Sequence, residues 1–172
     1  SNPNSKKTAV EKQEFTFKIV VKDSPIVVKM IPELKSLEPI TLQGRYNAVN
    51  DSIVLNGTVP KLTYGENTIT NAALKVDTKD NSLVYSFVVD DIQNKQIQLP
   101  YTTISGKVQN DIVDYTLQLK DLKDVERYLI AGTLKATNGN NEINLDPKNL
   151  LLDYESWKIA PGNLIKVKKK GI

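Results

Sequence analysis

Alternation with a period of two is the feature that most constrains this chain. It is clearest in Val113, Tyr115, Leu117 and Leu119, which are separated by single polar residues and bounded by Asn110-Asp111 and the charged run Asp121 to Glu126. The same beat recurs in Phe15, Phe17, Ile19 and Val21, in Ile40, Leu42, Gly44 and Tyr46, and in Ile53, Leu55, Gly57 and Val59. It returns in Leu83, Tyr85, Phe87 and Val89, and in Tyr128, Ile130, Gly132, Leu134 and Ala136. Successive side chains of a strand point to opposite faces, so each run describes a strand with one apolar and one wet face. Between the runs lie Asn50-Asp51, Gly65-Glu66-Asn67, Asp80-Asn81, Asn94-Lys95 and Asn138-Gly139-Asn140-Asn141, residue types that tolerate tight reversals. The pattern predicts an all-β, antiparallel hairpin meander.

Its interruptions are equally specific. Ser24-Pro25 reads as an N-cap followed by proline at the first helical position, and Ile26, Val27, Met30, Ile31 and Leu34 fall at helical spacing. One short helix is therefore expected near residues 25–34, limited to a turn or two by Pro32. Ile69 has the opposite parity to Leu74 and Val76, which predicts a bulge near Asn71. Pro100 marks an edge or a bulge within the extended segment Ile97 to Gln109, and Pro147 breaks the run before Leu150, Leu152 and Tyr154. Leu42-Gln43-Gly44, Ile104-Ser105-Gly106 and Ile130-Ala131-Gly132 form a loose, irregularly spaced repeat.

The chain has 172 residues, enough for one domain or one continuous sheet. Residues 1–14 read as a tag remnant and disordered linker, and 15–172 as a single all-β domain excised from a longer protein. No apolar run has the length of a transmembrane helix, and no signal peptide is visible. The net charge of +3 is spread over many Lys and Asp and gives no argument for nucleic acid. With no Cys and no His, thiolate chemistry, disulfides and a Ser-His-Asp triad are excluded.

The remaining constellations are poor for chemistry. Asp90 and Asp91 are adjacent, so on a strand they would diverge, and they are expected instead in the reversal with Asn94-Lys95. Asp121, Asp124 and Glu126 alternate with Lys120, Lys123 and Arg127, the composition of a solvated loop. Asp77-Thr78-Lys79-Asp80-Asn81 departs from a calcium loop at Lys79. The basic tail around Lys166, Lys168, Lys169 and Lys170 suits a strand end better than a lipid head-group site. No catalytic residue, metal ligand or cofactor is expected, and the chain reads as a non-enzyme.

The apolar faces must still be covered. A second sheet, a lipocalin-like closure around a ligand, or an open sheet folded over an apolar groove would each do so. The residues expected to line that core or groove are Leu42, Tyr46, Ile53, Leu55, Val59, Leu74, Val76, Leu83, Tyr85, Phe87, Val89, Val113, Tyr115, Leu117, Leu119, Ile130, Leu134, Leu152, Tyr154, Trp157 and Ile159. Trp157, the only Trp, is expected on the apolar side, anchoring the last turn through Ile159 and Pro161.

Four segments, in order, carry a family resemblance. They are the alternating strand from Phe15, the short helix with Ile31-Pro32-Glu33-Leu34, the start Leu42-Gln43-Gly44-Arg45-Tyr46-Asn47, and the closing stretch Asp153-Tyr154-Glu155-Ser156-Trp157-Lys158-Ile159-Ala160-Pro161-Gly162-Asn163. From about Phe15 to Val167 the chain resembles the TamB-like (AsmA-like, translocation and assembly module) envelope proteins in their Bacteroidetes form. The resemblance implies a sheet folded lengthwise into a β-taco, an open sandwich with an apolar interior. It implies a segment of a periplasm-spanning protein of a Gram-negative envelope, anchored in the inner membrane. Such a segment would offer a hydrophobic groove for phospholipid transport to the outer membrane, or for assembly of proteins there. The implied partners are phospholipid acyl chains and an Omp85-type outer-membrane barrel. The other function these residues allow is a structural or chaperone-like β-module that binds clients by strand addition.

Overall fold

The computed structural model describes residues 13–137 and 140–168. Strand β1 (Glu14–Val21) leads to helix α1 (Pro25–Met30) and then to β2 (Leu34–Leu37) and β3 (Ile40–Asn47). Five long strands follow: β4 (Ser52–Tyr64), β5 (Asn67–Lys79), β6 (Ser82–Gln93), β7 (Gln98–Gln109) and β8 (Ile112–Lys120). β9 (Glu126–Thr137), β10 (Asn140–Leu152), β11 (Glu155–Ser156) and β12 (Ile165–Lys168) complete the described residues. All belong to one 12-stranded antiparallel sheet, in which β1 and then β3 to β10 lie side by side in chain order. The two ends of the sheet do not meet, so it is open rather than a barrel.

The hairpins sit where turn chemistry put them. Asp51, Asp80, Asn81, Asn110 and Asp111 all have positive φ, the left-handed region that Asn and Asp tolerate best. The linker boundary moves by one residue, because Glu14 already pairs with Asn47. Residues 1–12, and the Asn138-Gly139 half of the last strong turn signal, lie outside the described residues. Helix α1 is capped as expected, with the Ser24 hydroxyl accepting from the Val27 N–H at 3.3 Å. It stops at Met30, however, and Leu34 belongs to β2, where it is 5% exposed. Pro32 cannot continue the helix, and pairing of Leu34 with Tyr64 takes the chain into the sheet.

A line of unpaired residues crosses the sheet. Pro60 in β4, Asn71 in β5, Asp90 in β6 and Tyr101 in β7 are skipped, while pairing on either side keeps one register. Asn71 and Tyr101 have φ of 51° and 47°. The line continues at Glu38-Pro39, which separates β2 from β3 along β4, and at a register shift between β8 and β9 beside Lys120. Pro60 has no N–H to contribute, so it fits an unpaired position. Every one of these strands changes apolar parity here: Val59 gives way to Leu62, Ala72 to Ile69, Val89 to Ile92, and Thr102 to Leu99. The expected bulge at Asn71 is thus one element of a concerted break, and the Asn71 amide ties it to Asp90 of the next strand at 3.0 Å.

The glycine repeat has a packing explanation. Gly44, Gly106 and Gly132 occupy the same level of the sheet, and each is covered by an aromatic ring of a neighbouring strand, Phe17, Tyr85 and Tyr115 respectively. Such cover shields a strand glycine that has no side chain of its own. A methyl group at Gly106 would collide with the Asp114 carbonyl and the Tyr85 hydroxyl, and one at Gly132 with the Asn144 carbonyl. At Gly57 the nearest atoms would be at 3.4 Å, ordinary contact. Gly106→Ala and Gly132→Ala should therefore each cost about 1–3 kcal/mol through overpacking, while Gly57→Ala should be nearly neutral. Urea midpoints of the three variants measure this ordering.

Candidate functional site, an open apolar face

Cross-strand partners in an antiparallel sheet lie on the same face. Following the pairs across the sheet gives four apolar ladders. The first joins Phe15, Tyr46 and Ile53, and continues through Thr78, Leu83, Val108, Val113, Leu134, Ile143 and Ile165. The second runs Phe17, Gly44, Leu55, Val76, Tyr85, Gly106, Tyr115, Gly132, Leu145. The third runs Ile19, Leu42, Gly57, Leu74, Phe87, Ile104, Leu117, Ile130, Leu150. The fourth, beside the unpaired line, holds Val59, Ala72, Val89, Thr102, Leu119, Tyr128 and Leu152. On the opposite face, between the second and third ladders, stand Lys18, Gln43, Asn56, Lys75, Ser86, Ser105, Thr116 and Ala131.

The sequence-predicted lining residues from Leu42 to Leu152 are all brought together on this one face. Ile104, Val108, Ile143, Leu145 and Leu150 belong there too, and their parity with paired neighbours was the available signal. Tyr154 does not belong. The chain reverses at Asp153 and Tyr154, with φ of 51° and 70°, so the alternation through Leu150 and Leu152 ends before Tyr154. Trp157 donates its backbone N–H to the Leu150 carbonyl at 2.9 Å, continuing the pairing of β10 with β11, so it stands beside Leu150 at the edge of the third ladder. It is 53% exposed, and the buried anchor expected of it is corrected to a half-exposed side chain at the sheet's edge. Ile159 is half-buried but lies outside any strand.

The residue of the closing motif that anchors is Asn163. Its amide accepts from the Leu145 N–H at 2.9 Å and donates to the Leu145 carbonyl at 2.8 Å, replacing a neighbouring strand. It also donates to the Ala160 carbonyl at 3.1 Å. Asn163→Ala removes these bonds and should cost about 1–3 kcal/mol, since the Leu145 groups would be left without partners. Trp157→Ala should cost less than that, and paired denaturation curves of the two variants test the inversion.

The face is not filled. Val89 is the one large described side chain with no exposure, and Ala72 and Thr102 flank it. Elsewhere the ladder residues are mostly half-buried, and Ile104 is 39% exposed. Beyond the unpaired line, Leu99, Pro100, Leu119, Leu122 and Tyr128 form a pocket of about 300 Å³ rimmed by Lys120, Lys123 and Arg127.

The charged loop beside that pocket is a clasp. The Asp121 carboxylate accepts from the Lys123 and Val125 N–H groups at 2.8 and 3.0 Å and from the Tyr154 hydroxyl at 2.9 Å. Asp124 pairs with Lys120 at 2.9 Å, and Glu126 accepts from the Gln118 amide. Arg127 donates to Asp153 at 2.7 Å, with its guanidinium 5.3 Å from the Tyr128 ring and 5.7 Å from the Tyr154 ring. The Val125 N–H, followed by the Tyr154 hydroxyl and the Lys123 N–H, holds the Asp121 carboxyl below its ordinary pKa. A depressed pKa stabilises the fold above the unfolded-state value, and this contribution fades as pH falls through the lowered one. Asp121→Asn should flatten that part of the acid-unfolding curve, which a pH series of melting temperatures follows. Burial raises the Tyr85 hydroxyl pKa, with the Asp114 charge adding to it, and the hydroxyl stays protonated to donate to the Asp114 carbonyl at 3.0 Å.

No protein-family model matches this chain, and neither a curated protein nor a solved structure is significantly similar to it.

Proposed function

We propose that this chain is a segment of a TamB-like, periplasm-spanning envelope protein, and that its apolar face carries phospholipid acyl chains towards the outer membrane without catalysis. The observation that supports this reading is the set of aliphatic ladders that cross the sheet and remain incompletely covered. A lipid chain leaving a bilayer loses about 0.8 kcal/mol for each CH₂ that meets water. A long strip of Val, Leu and Ile offsets that loss at every position along it, and no polar group fixes the chain at one place. In this reading the segment belongs to a protein anchored in the inner membrane, and its outer-membrane partner is an Omp85-type barrel.

Register makes the test sharp, because adjacent residues of β8 lie on opposite faces. A photo-crosslinking residue at Leu117 should capture phospholipid in cells, and one at Thr116 should give only background. Leu117→Lys should also abolish co-purification of phospholipid, measured by native mass spectrometry, because an unpaired charge among acyl chains is very costly. Thr116→Lys should leave it intact. Equal labelling at the two positions, or no lipid at Leu117 in a folded protein, rejects the groove.

A further inference from the structure

The pocket beside the charged loop owes its shape to strands of unequal reach. β7 begins at Gln98, but its pairing with β8 begins only at Thr102, opposite Leu119. Gln98, Leu99 and Pro100 therefore have no β8 neighbour. β8 stops at Lys120, and the chain loops out through Leu122 before β9 returns with Tyr128 opposite Leu119. The gap of about 300 Å³ is lined by carbon from Leu99, Pro100, Leu119, Leu122 and Tyr128. Lys120, Lys123, Arg127 and Asp121 complete the lining, three cations against one carboxylate. Lys120 is held by Asp124 and Arg127 by Asp153, neither of which lines the pocket. The Asp121 carboxylate is taken up by two backbone N–H groups and the Tyr154 hydroxyl. Among the described residues the Lys123 ammonium has no hydrogen bond and no ion pair.

We propose that this pocket binds one medium-chain fatty acid, its tail among the apolar residues and its carboxylate on Lys123. A concave, mostly apolar site with a few placed polar groups is the usual form of a small-molecule site. The unpartnered ammonium selects an anion, and the carbon lining selects a hydrocarbon tail. A methylene takes about the volume of a water molecule, roughly 30 Å³, so the gap fits a single chain of about ten carbons. Two phospholipid tails exceed it. The site shares Leu119 and Tyr128 with the fourth ladder and draws the rest of its lining from beyond the ladders. It stands whether or not the ladders carry phospholipid.

Isothermal titration calorimetry of the whole chain with decanoate, below its micellar concentration, tests this. Decanoate should bind saturably at one site. Decyltrimethylammonium has the same tail and the opposite charge, and butyrate has the same charge and a short tail. Each should bind at least about tenfold more weakly. Lys123→Gln should weaken decanoate by about tenfold, Lys123→Arg should retain it, and Leu122→Asp should abolish it. Both positions are exposed, Leu122 at 69%, so circular dichroism should be unchanged. Phospholipid co-purifying with Lys123→Gln should match the wild type, which separates this site from the groove. No saturable decanoate binding up to about 1 mM, equal binding of decanoate and decyltrimethylammonium, or an affinity indifferent to both Lys123→Gln and Leu122→Asp would each overturn the assignment.

Discussion

Everything in this structure depends on antiparallel pairing that keeps one parity of every strand on one face. Pairing fixes which residues are neighbours, and neighbours across strands share a face. Once Leu42 stands beside Gly57, and Gly57 beside Leu74, the third ladder is determined across β3 to β10. The wet face follows from the same pairs, down to the row from Lys18 to Thr116. A slip of one residue in any strand would turn its whole apolar set outward, so the register is held by the hydrophobic pattern itself.

That constraint explains the line of unpaired residues. An extra residue in one strand alone would force its parity against both neighbours. Here Pro60, Asn71, Asp90 and Tyr101 are extra at the same level, so the strands change parity together and stay paired. The cost is a left-handed backbone at two non-glycine residues, Asn71 and Tyr101. Of the least exposed residues, Val89, Ala72, Thr102 and Leu37 gather along this line, and Leu34 lies farther out, opposite Tyr64. What core the sheet has lies at its break, and the broad aliphatic surface away from the break stays available to something else.

The closing segment shows how an open sheet finishes an edge. The Asn163 amide stands in for a strand at Leu145, and Tyr154 fastens the turn to Asp121. These contacts satisfy backbone and loop groups with side chains, and Trp157 stays half exposed. The most conspicuous residue of the motif is not the one that holds it, because hydrogen-bonding geometry, not ring size, decides what can replace a missing strand.

The sequence alone determined the strands, most reversals, the helix start at Ser24-Pro25, and which parity of each strand is apolar. These depend on the backbone period and on residues that tolerate particular φ values, both local properties. The lining from Leu42 to Leu152 was legible for that reason. Tertiary structure decided what depends on partners distant in the chain. It turned an isolated parity conflict at Asn71 into a break shared by neighbouring strands, and three aliphatic-x-Gly triplets into glycines beneath Phe17, Tyr85 and Tyr115. It also moved Tyr154 off the face, because its position follows from a reversal at Asp153 that ends the period. Whether the apolar face would be closed, filled or left open was likewise beyond the sequence, since alternation specifies that a face is apolar and says nothing of what lies against it.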